Sequence, residues 1–147
     1  MTTTPASAPA AGALPFDALS ADCPSRSVVD RLTSRWGVLV LAALRRGRVM
    51  RFSELRRTVE GVSEKMLAQT LQGLEREGLV HREARPVVPP HVEYTLTSSG
   101  EEAAALVIGI VTWAEANAEA ILRCRASYDA RRTARTPSAG QEPPLPA

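Results

Sequence analysis

Aromatic side chains and cysteines are both scarce in this sequence of 147 residues. Aromatic residues make up 4% of the chain, with two each of Phe, Tyr and Trp. That is too few for a groove lined with stacked rings, by which many proteins hold single-stranded nucleic acid. The two cysteines, Cys23 and Cys124, form no CxxC pair, which argues against a disulfide scaffold and fits a reducing cytosol.

Long hydrophobic runs are also absent from the sequence. No run of about 18 consecutive apolar residues occurs, so we expect no membrane-spanning helix and no membrane partner. The N-terminus has no charged start followed by a long apolar run, so we expect no signal peptide. Both absences favour a cytoplasmic protein.

No arrangement of residues predicts a metal site, a cofactor site or a catalytic centre. His81 and His91 have no second ligand at metal-binding spacing. No histidine accompanies a nucleophile motif, and neither a glycine-rich phosphate loop nor an evident carboxylate pair occurs. We therefore expect no metal, no cofactor and no catalytic residue, and we expect the protein not to be an enzyme.

The chain does contain enough apolar residues for a core and an uneven distribution of charge. Hydrophobic residues are 44% of the chain, and the net charge is only +2. Residues 45–85, however, contain ten basic and six acidic side chains, a net charge of +4. Seventeen of the 18 basic residues are arginine, which suits contacts to phosphate and guanine. A GC-rich genome would produce the same preference for arginine.

The segment from Ser63 to Gly78 has the complete pattern of one amphipathic helix. Ser63 can cap its first turn, and Gly78 can adopt the left-handed conformation that ends a helix. Leucines at 67, 71 and 74 form one apolar stripe. The opposite face carries long polar side chains that could enter a DNA groove, namely Lys65, Gln69, Gln72 and Arg76. The alternative is an ordinary helix with a solvated face.

The order of the other segments predicts a mostly helical α+β domain. A tight turn containing glycine joins two short helices into a helix-turn-helix, and a proline-rich tip over 84–90 joins two strands into a stiff wing. We expect this domain over 22–128, a disordered tail or N-terminal arm over 1–21, and a disordered tail over 129–147. The predicted elements are a helix over about 24–34 begun by Pro24 with Val28, Val29 and Leu32 on its inward face, a helix over 36–44 stopped by Gly47, a strand over 50–52, a helix capped by Ser53, the Ser63 helix, strands over 79–83 and 91–96, and a helix over about 98–125 opened by residues 97–100.

The last predicted helix has more apolar surface than packing against its own small domain requires. A second copy of the chain is the simplest partner for it, whereas the alternative is that it packs entirely within its own subunit. The residues expected at a dimer interface are Leu106, Ile110, Trp113, Asn117 and Ile121.

Several motifs together resemble a known family. The sequence contains, in order, CP at 23–24, RWGVLVLAAL, RFSELRRTVEGVSEKMLAQTLQGLEREGLV and VPPHVEYTLTSSG. Over roughly residues 23–113 these resemble the HxlR-type bacterial transcriptional regulators, winged-helix proteins akin to the MarR type. The resemblance implies a cytoplasmic, homodimeric winged helix-turn-helix regulator, associated with the nucleoid when bound, whose partners are double-stranded DNA and a second copy of itself. It identifies no small-molecule effector.

The Ser63 helix would then lie in the major groove, where lysine can contact guanine and glutamine can contact adenine. We expect Lys65 and Gln69 to read base edges, and Ser53 and Ser63 to contact phosphates at helix N-termini. For each arginine, plain solvation is the alternative, and a winged helix that binds protein and not DNA is the alternative for the whole domain. The further candidate contacts are Arg51, Arg56, Arg57, Thr70, Gln72 and Arg76, with Arg82, Arg85 and His91 on the wing.

Cys23 is a candidate sensor of oxidants or electrophiles. It precedes a predicted helix, whose dipole can stabilise a thiolate and raise its reactivity. The alternative is a small buried side chain that does not react. Cys124, on the predicted dimer helix, has no evident activating neighbour and is expected to serve packing.

Overall fold

The computed structural model of the protein describes residues 16–135. The predicted disorder at residues 1–15 and 136–147 lies outside the described residues. Two compact units divide the chain between Gly109 and Ile110. The elements are α1 (Pro24–Thr33), α2 (Arg35–Gly47), β1 (Met50–Arg51), α3 (Phe52–Thr58), α4 (Glu64–Arg76), β2 (Val80–Arg85), β3 (His91–Leu96) and α5 (Ser98–Arg135).

The first unit is a helical domain with a small antiparallel sheet of order β1-β3-β2. The long hairpin of β2 and β3 forms the predicted wing, in which Val80 pairs with Leu96 and Arg85 pairs with His91. The core is formed by apolar side chains from the helices and the sheet. Its fully buried side chains include Val40, Leu41, Leu44, Leu55, Leu67, Leu71 and Leu74. Burial of such side chains, at about 1.5–3 kcal/mol each, is the main force that holds the helices together.

The ends of α4 follow the sequence prediction closely. The Ser63 hydroxyl oxygen accepts a hydrogen bond from the Met66 backbone N–H at 3.1 Å, which satisfies a free donor of the first turn. Gly78 has a φ of +74°. Its N–H donates to the Glu75 carbonyl at 2.9 Å, while the Leu79 N–H donates to the Leu74 carbonyl at 3.0 Å. This pair of bonds is the Schellman motif, so both ends of α4 are fixed by local interactions.

One threonine connects the end of α4 to the start of α5. The Thr97 hydroxyl donates to the Gly78 carbonyl at 2.6 Å and accepts from the Gly100 N–H at 3.0 Å. Gly100 is buried with its Cα against the Leu79 carbonyl, where a Cβ would overlap the backbone. The predicted opening of the last helix at 97–100 is confirmed.

The end of α2 differs from its prediction. Gly47 is still helical, and the left-handed residue is Arg48, with φ 65° and ψ −68°. The Val49 N–H donates to the Gly47 carbonyl at 2.9 Å, which closes a γ-turn, a rare and strained conformation. A Cβ at Gly47 would meet the Met50 sulfur at 2.5 Å, so any larger residue there would require the Met50 side chain to move.

Three further predictions need correction. Arg51, and not Ser53, is the N-cap of α3, and its N–H donates to the Glu54 carboxylate at 3.2 Å. β2 runs over Val80–Arg85 and not over 79–83, because cross-strand pairing with β3 extends it toward the tip. Val29 on α1, expected to point inward, is exposed.

The described part of the second unit is the continuation of α5. The helix ends at Arg135, ten residues beyond the expected 125, so residues 129–135 are helical and not disordered. Its buried residues, Gly100, Ala104 and Val107, all belong to the first unit. From Ile110 onward, no side chain among the described residues is fully buried.

By length and composition alone, α5 is apolar enough to cross a membrane. An 18-residue window has a mean hydropathy of 1.4, and only 6% of it is buried. The absence of an unbroken apolar run therefore did not exclude such a helix. Glu115 and Glu119 near its middle oppose insertion, since ionised side chains are costly inside a bilayer.

Candidate nucleic-acid interface

The outward face of α4 is polar and accessible. Lys65, Gln69, Gln72 and Arg76 are all exposed, while the leucine stripe on the opposite side is buried. No hydrogen bond or ion pair within residues 16–135 engages the side chains of Lys65, Gln69 or Gln72. Thr70 lies at the margin, half-buried, and its hydroxyl donates to the Met66 carbonyl at 2.7 Å. The buried leucines thus fix α4 to the core, while the hydrogen-bond donors and acceptors on its opposite face remain available to a ligand.

A second polar group lies where α3 approaches the start of α4. Ser53, Arg56, Arg57 and Glu64 line one groove of about 440 Å³. Arg56 donates to the Glu64 carboxylate at 2.8 Å, so this predicted contact is already paired in the unbound protein. The Ser63 hydroxyl uses its oxygen for the cap, which leaves its O–H free to donate to an anion.

The wing brings two of its predicted contacts, Arg85 and His91, together around one carboxylate. Glu93 accepts from Arg85 at 3.1 Å and from His91 at 3.2 Å. Partial burial acts to raise the pKa of Glu93, but the hydrogen bonds and charges of His91 and Arg85 outweigh it and lower the pKa below its usual value. Arg82, in register with Tyr94 on β3, stays exposed.

Arg31 belongs to this surface and was missed by sequence reasoning. It extends from α1 across α4 at Gly73, and its Nε donates to the Glu77 carboxylate at 3.4 Å. With Gln69, Gln72, Glu75 and Arg76 it lines a groove of about 700 Å³. The available signal was Gly73, since an isolated glycine inside a helix often marks a close approach by another group.

Cys23 is the N-cap residue of α1 and is half-buried. Its Sγ lies 3.0 Å from the Ser25 hydroxyl and accepts from the Asp17 backbone N–H at 3.2 Å. The Ser25 hydrogen bond, followed by contacts to backbone N–H groups, lowers the pKa of the thiol, although partial burial and the Asp17 carboxylate oppose this. Phe16 and Leu19 in the preceding segment are exposed. Cys124, expected to serve packing, is exposed.

The predicted dimer residues on α5 are only partly covered by their own chain. Leu106, in the first unit, is 77% exposed, and Ile110 and Trp113, in the second, are 54% and 61% exposed. Asn117 and Ile121 are half-buried, and the Asn117 amide donates to the Trp113 carbonyl at 2.8 Å. Across residues 16–135, no group of three or more His, Cys, Asp or Glu side chains could hold a metal ion.

Comparison with known proteins agrees with this architecture. The sequence profile of the HxlR-like helix-turn-helix family matches residues 31–121. The chain belongs to the HxlR family. A relative, the HTH-type transcriptional regulator YtfH of Escherichia coli (strain K12), itself uncharacterized, is 56% identical over 103 residues, which cover 70% of this chain and 81% of YtfH.

Solved structures of HxlR-like proteins have the same fold. The ytfH protein of Salmonella typhimurium matches with a TM-score of 0.72 at 51% identity, covering 76% of this chain and 98% of that one. The redox regulator HypR, in its oxidized form, matches with a TM-score of 0.59 at 35% identity, covering 65% of this chain and 97% of that one. The winged helix-turn-helix fold and the assignment as a transcriptional regulator are therefore both confirmed.

Proposed function

We propose that this HxlR-family regulator binds double-stranded DNA as a cytoplasmic homodimer and has no catalytic role. The observation that carries the proposal is the outward face of α4, where exposed Lys65, Gln69 and Gln72 have no partner among the described residues while the opposite face is buried. A helix held in this way can enter the major groove and present its side chains to base edges.

In this proposal, Lys65 and Gln69 contact bases. Ser63 donates its O–H to a phosphate next to the N-terminus of α4, where free N–H groups also favour an anion. Arg56 and Arg85 first exchange their carboxylate partners for phosphates. The remaining proposed contacts to DNA are Arg51, Ser53, Thr70, Gln72, Arg76, Arg82 and His91.

A homodimer accounts for the apolar side chains of α5. Leu106, Ile110 and Trp113 are large and exposed in the single chain, whereas stable proteins usually cover such surface with a partner. A dimer with two-fold symmetry would present two α4 helices to successive major grooves, about 34 Å apart on a pseudo-palindromic site. Asn117 and Ile121 would extend the same interface.

The test is a binding titration at increasing salt. We would use a duplex of about 30 base pairs, long enough for two half-sites, from a footprint upstream of the protein's own coding sequence. Affinity should fall steeply between about 50 and 200 mM salt, with a log–log slope of several units, because phosphate contacts release counterions. A flat response would contradict DNA binding and favour the alternative of a protein-interaction module.

A response to oxidants is a second candidate function, and it rests on Cys23. The Ser25 hydroxyl and the Asp17 backbone N–H stabilise a thiolate there, and thiolates are the reactive form of cysteine. The similar structure of HypR is that of a redox regulator. Cys23→Ser should bind the duplex with unchanged affinity but keep that affinity after treatment with a thiol oxidant. If Cys23→Ser still loses affinity on oxidation, Cys23 is not the sensor. Cys124→Ser is the matched control.

A further inference from the structure

Gly73 lies in the last turn of α4, where alanine would favour the helix by about 1 kcal/mol. Gly73 is buried although it has no side chain to pack. A Cβ at this position would overlap the Nη1 atom of Arg31. The glycine therefore leaves room for a guanidinium group that crosses from α1 over the backbone of α4.

Two contacts hold the guanidinium of Arg31 at this crossing. Gly73 admits it against the helix backbone, and Glu77, the C-cap residue of α4, accepts from its Nε at 3.4 Å. The side chain remains 33% exposed. No ion pair within residues 16–135 engages its terminal nitrogens, which reach the groove lined by Gln69 and Gln72.

α1 also borders α4 along a second groove, of about 360 Å³, where Arg31 is the only cation and Asp30 the only anion. Gln69 lines both grooves. A helix in the major groove has phosphate backbones along its flanks, and most protein–DNA hydrogen bonds go to those phosphates. A flanking guanidinium with free N–H groups suits such a phosphate.

We propose that Arg31 contacts a DNA phosphate beside the bases read by α4, and that Gly73 and Glu77 position it for this contact. The inference rests on the proposed function, because it assumes that α4 enters the major groove. It adds an arginine from outside the helix-turn-helix to the binding surface.

The test compares Arg31→Gln with Arg26→Gln, which removes the same charge from an exposed position on α1 that lines neither groove. Each protein is titrated with two duplexes, one selected by the wild type from a random library and one of the same composition in scrambled order. The variant removes one phosphate contact from each subunit of the proposed dimer, so binding to both duplexes should weaken by a similar factor, about tenfold for each contact. The salt slope should fall by about one for each contact. Arg26→Gln should keep a steeper slope than Arg31→Gln.

Gly73→Ala tests the positioning without removing any charge. The new methyl group must displace the guanidinium, so binding to both duplexes should weaken as it does in Arg31→Gln. Added to Arg31→Gln, the same change should have no further effect, because the displaced group is already gone. Thermal unfolding measures whether each variant stays folded, and Gly73→Ala is expected to do so because alanine favours a helix.

The outcomes separate the two proposals. If the wild type binds neither duplex, the proposed function and this inference both fail. If the wild type binds and Arg31→Gln keeps its affinity and salt slope, only the inference fails. Weakening restricted to the selected duplex would also overturn it, since that result indicates a base contact and not a phosphate contact.

Discussion

The helices α4 and α5 differ in what they leave exposed. In α4, 13 residues long, four residues are buried and both ends are capped, and the exposed face is polar. In α5, 38 residues long, three residues are buried, and large apolar side chains such as Leu106 and Trp113 are exposed. The chain alone therefore accounts for the position of α4, whereas α5 exposes apolar surface that no other part of residues 16–135 covers.

The proposed function assigns a different kind of partner to each helix. Exposed amides and cations on α4 complement the hydrogen-bonding edges and phosphates of DNA. Exposed apolar side chains on α5 lower the free energy of the protein only when another apolar surface covers them. The following four predictions test this contrast, from the largest expected effect to the smallest.

The largest effect is expected from Trp113→Asp on α5. A carboxylate at the centre of an apolar interface would have to be buried without a partner, so the dimer should dissociate. Affinity for a duplex with two half-sites should then fall by about a hundredfold to ten-thousandfold, because the second subunit is no longer tethered. Sedimentation equilibrium and a binding titration measure the two effects.

The matched control is Thr112→Asp, which adds the same charge at an exposed neighbouring position away from the row formed by Leu106, Ile110 and Trp113. It should remain dimeric. If Trp113→Asp remains dimeric, the apolar side of α5 is not the dimer interface. The proposed difference between the partners of α4 and α5 would then be wrong.

The second prediction concerns the double variant Lys65→Ala, Gln69→Ala on α4. Each base contact discriminates against the wrong base by about 1–3 kcal/mol, so preference for the selected duplex over a scrambled one should fall by at least about tenfold. The dimer should remain intact. Glu101→Ala, an exposed change on α5 that lines none of the grooves beside α4, is the control. Unchanged preference in the double variant would rule out these two residues as base contacts.

The third prediction compares the same substitution in the two regions. Gly78→Ala, just after α4, should destabilise the protein by about 1 kcal/mol, because its φ of +74° is strained for any residue with a Cβ. Gly109→Ala, within α5, should stabilise it by about 0.5–1 kcal/mol through helix propensity. Neither new Cβ would meet an atom within 4 Å, so chemical unfolding reports the backbone effect alone. Equal effects of the same sign would contradict the Gly78 cap.

The fourth and smallest effect concerns pH and the wing. The pKa of Glu93 is lowered in the folded state, so its stabilising contribution is present above about pH 4.5 and is lost as the pH falls through its folded value. Glu93→Gln should therefore remove part of the acid dependence of unfolding. Glu83→Gln, across from it in register, removes a wing carboxylate without these contacts and serves as the control. Identical acid dependence in wild type and Glu93→Gln would contradict the ion-pair cluster.

Local signals made α4 predictable from sequence. The Ser63 cap, the Gly78 stop and the stripe of Leu67, Leu71 and Leu74 each depend on residues within one helix, and all are as expected. The wing strands were predictable for the same reason, since prolines bound them. The bounds of β2 differ from the prediction, by one residue at its start and two at its end, because cross-strand register decides them.

Contacts between distant segments could not be predicted in the same way. Arg31 and Glu77 are 46 positions apart, so no local pattern connects them. The left-handed Arg48 beside Gly47 and the helical residues 129–135 also contradict simple rules of composition. Arginine and alanine are strong helix formers, which explains why an exposed segment rich in both continues α5.

Thr97 has a consequence for the architecture of an operator. Its hydroxyl contacts both the Gly78 carbonyl after α4 and the first turn of α5. The direction in which α5 begins is therefore tied to the direction in which α4 ends. In a dimer built on α5, we expect this joint to determine how far apart two half-sites must lie. The number of base pairs in a spacer would then depend on a side chain that never touches a nucleotide.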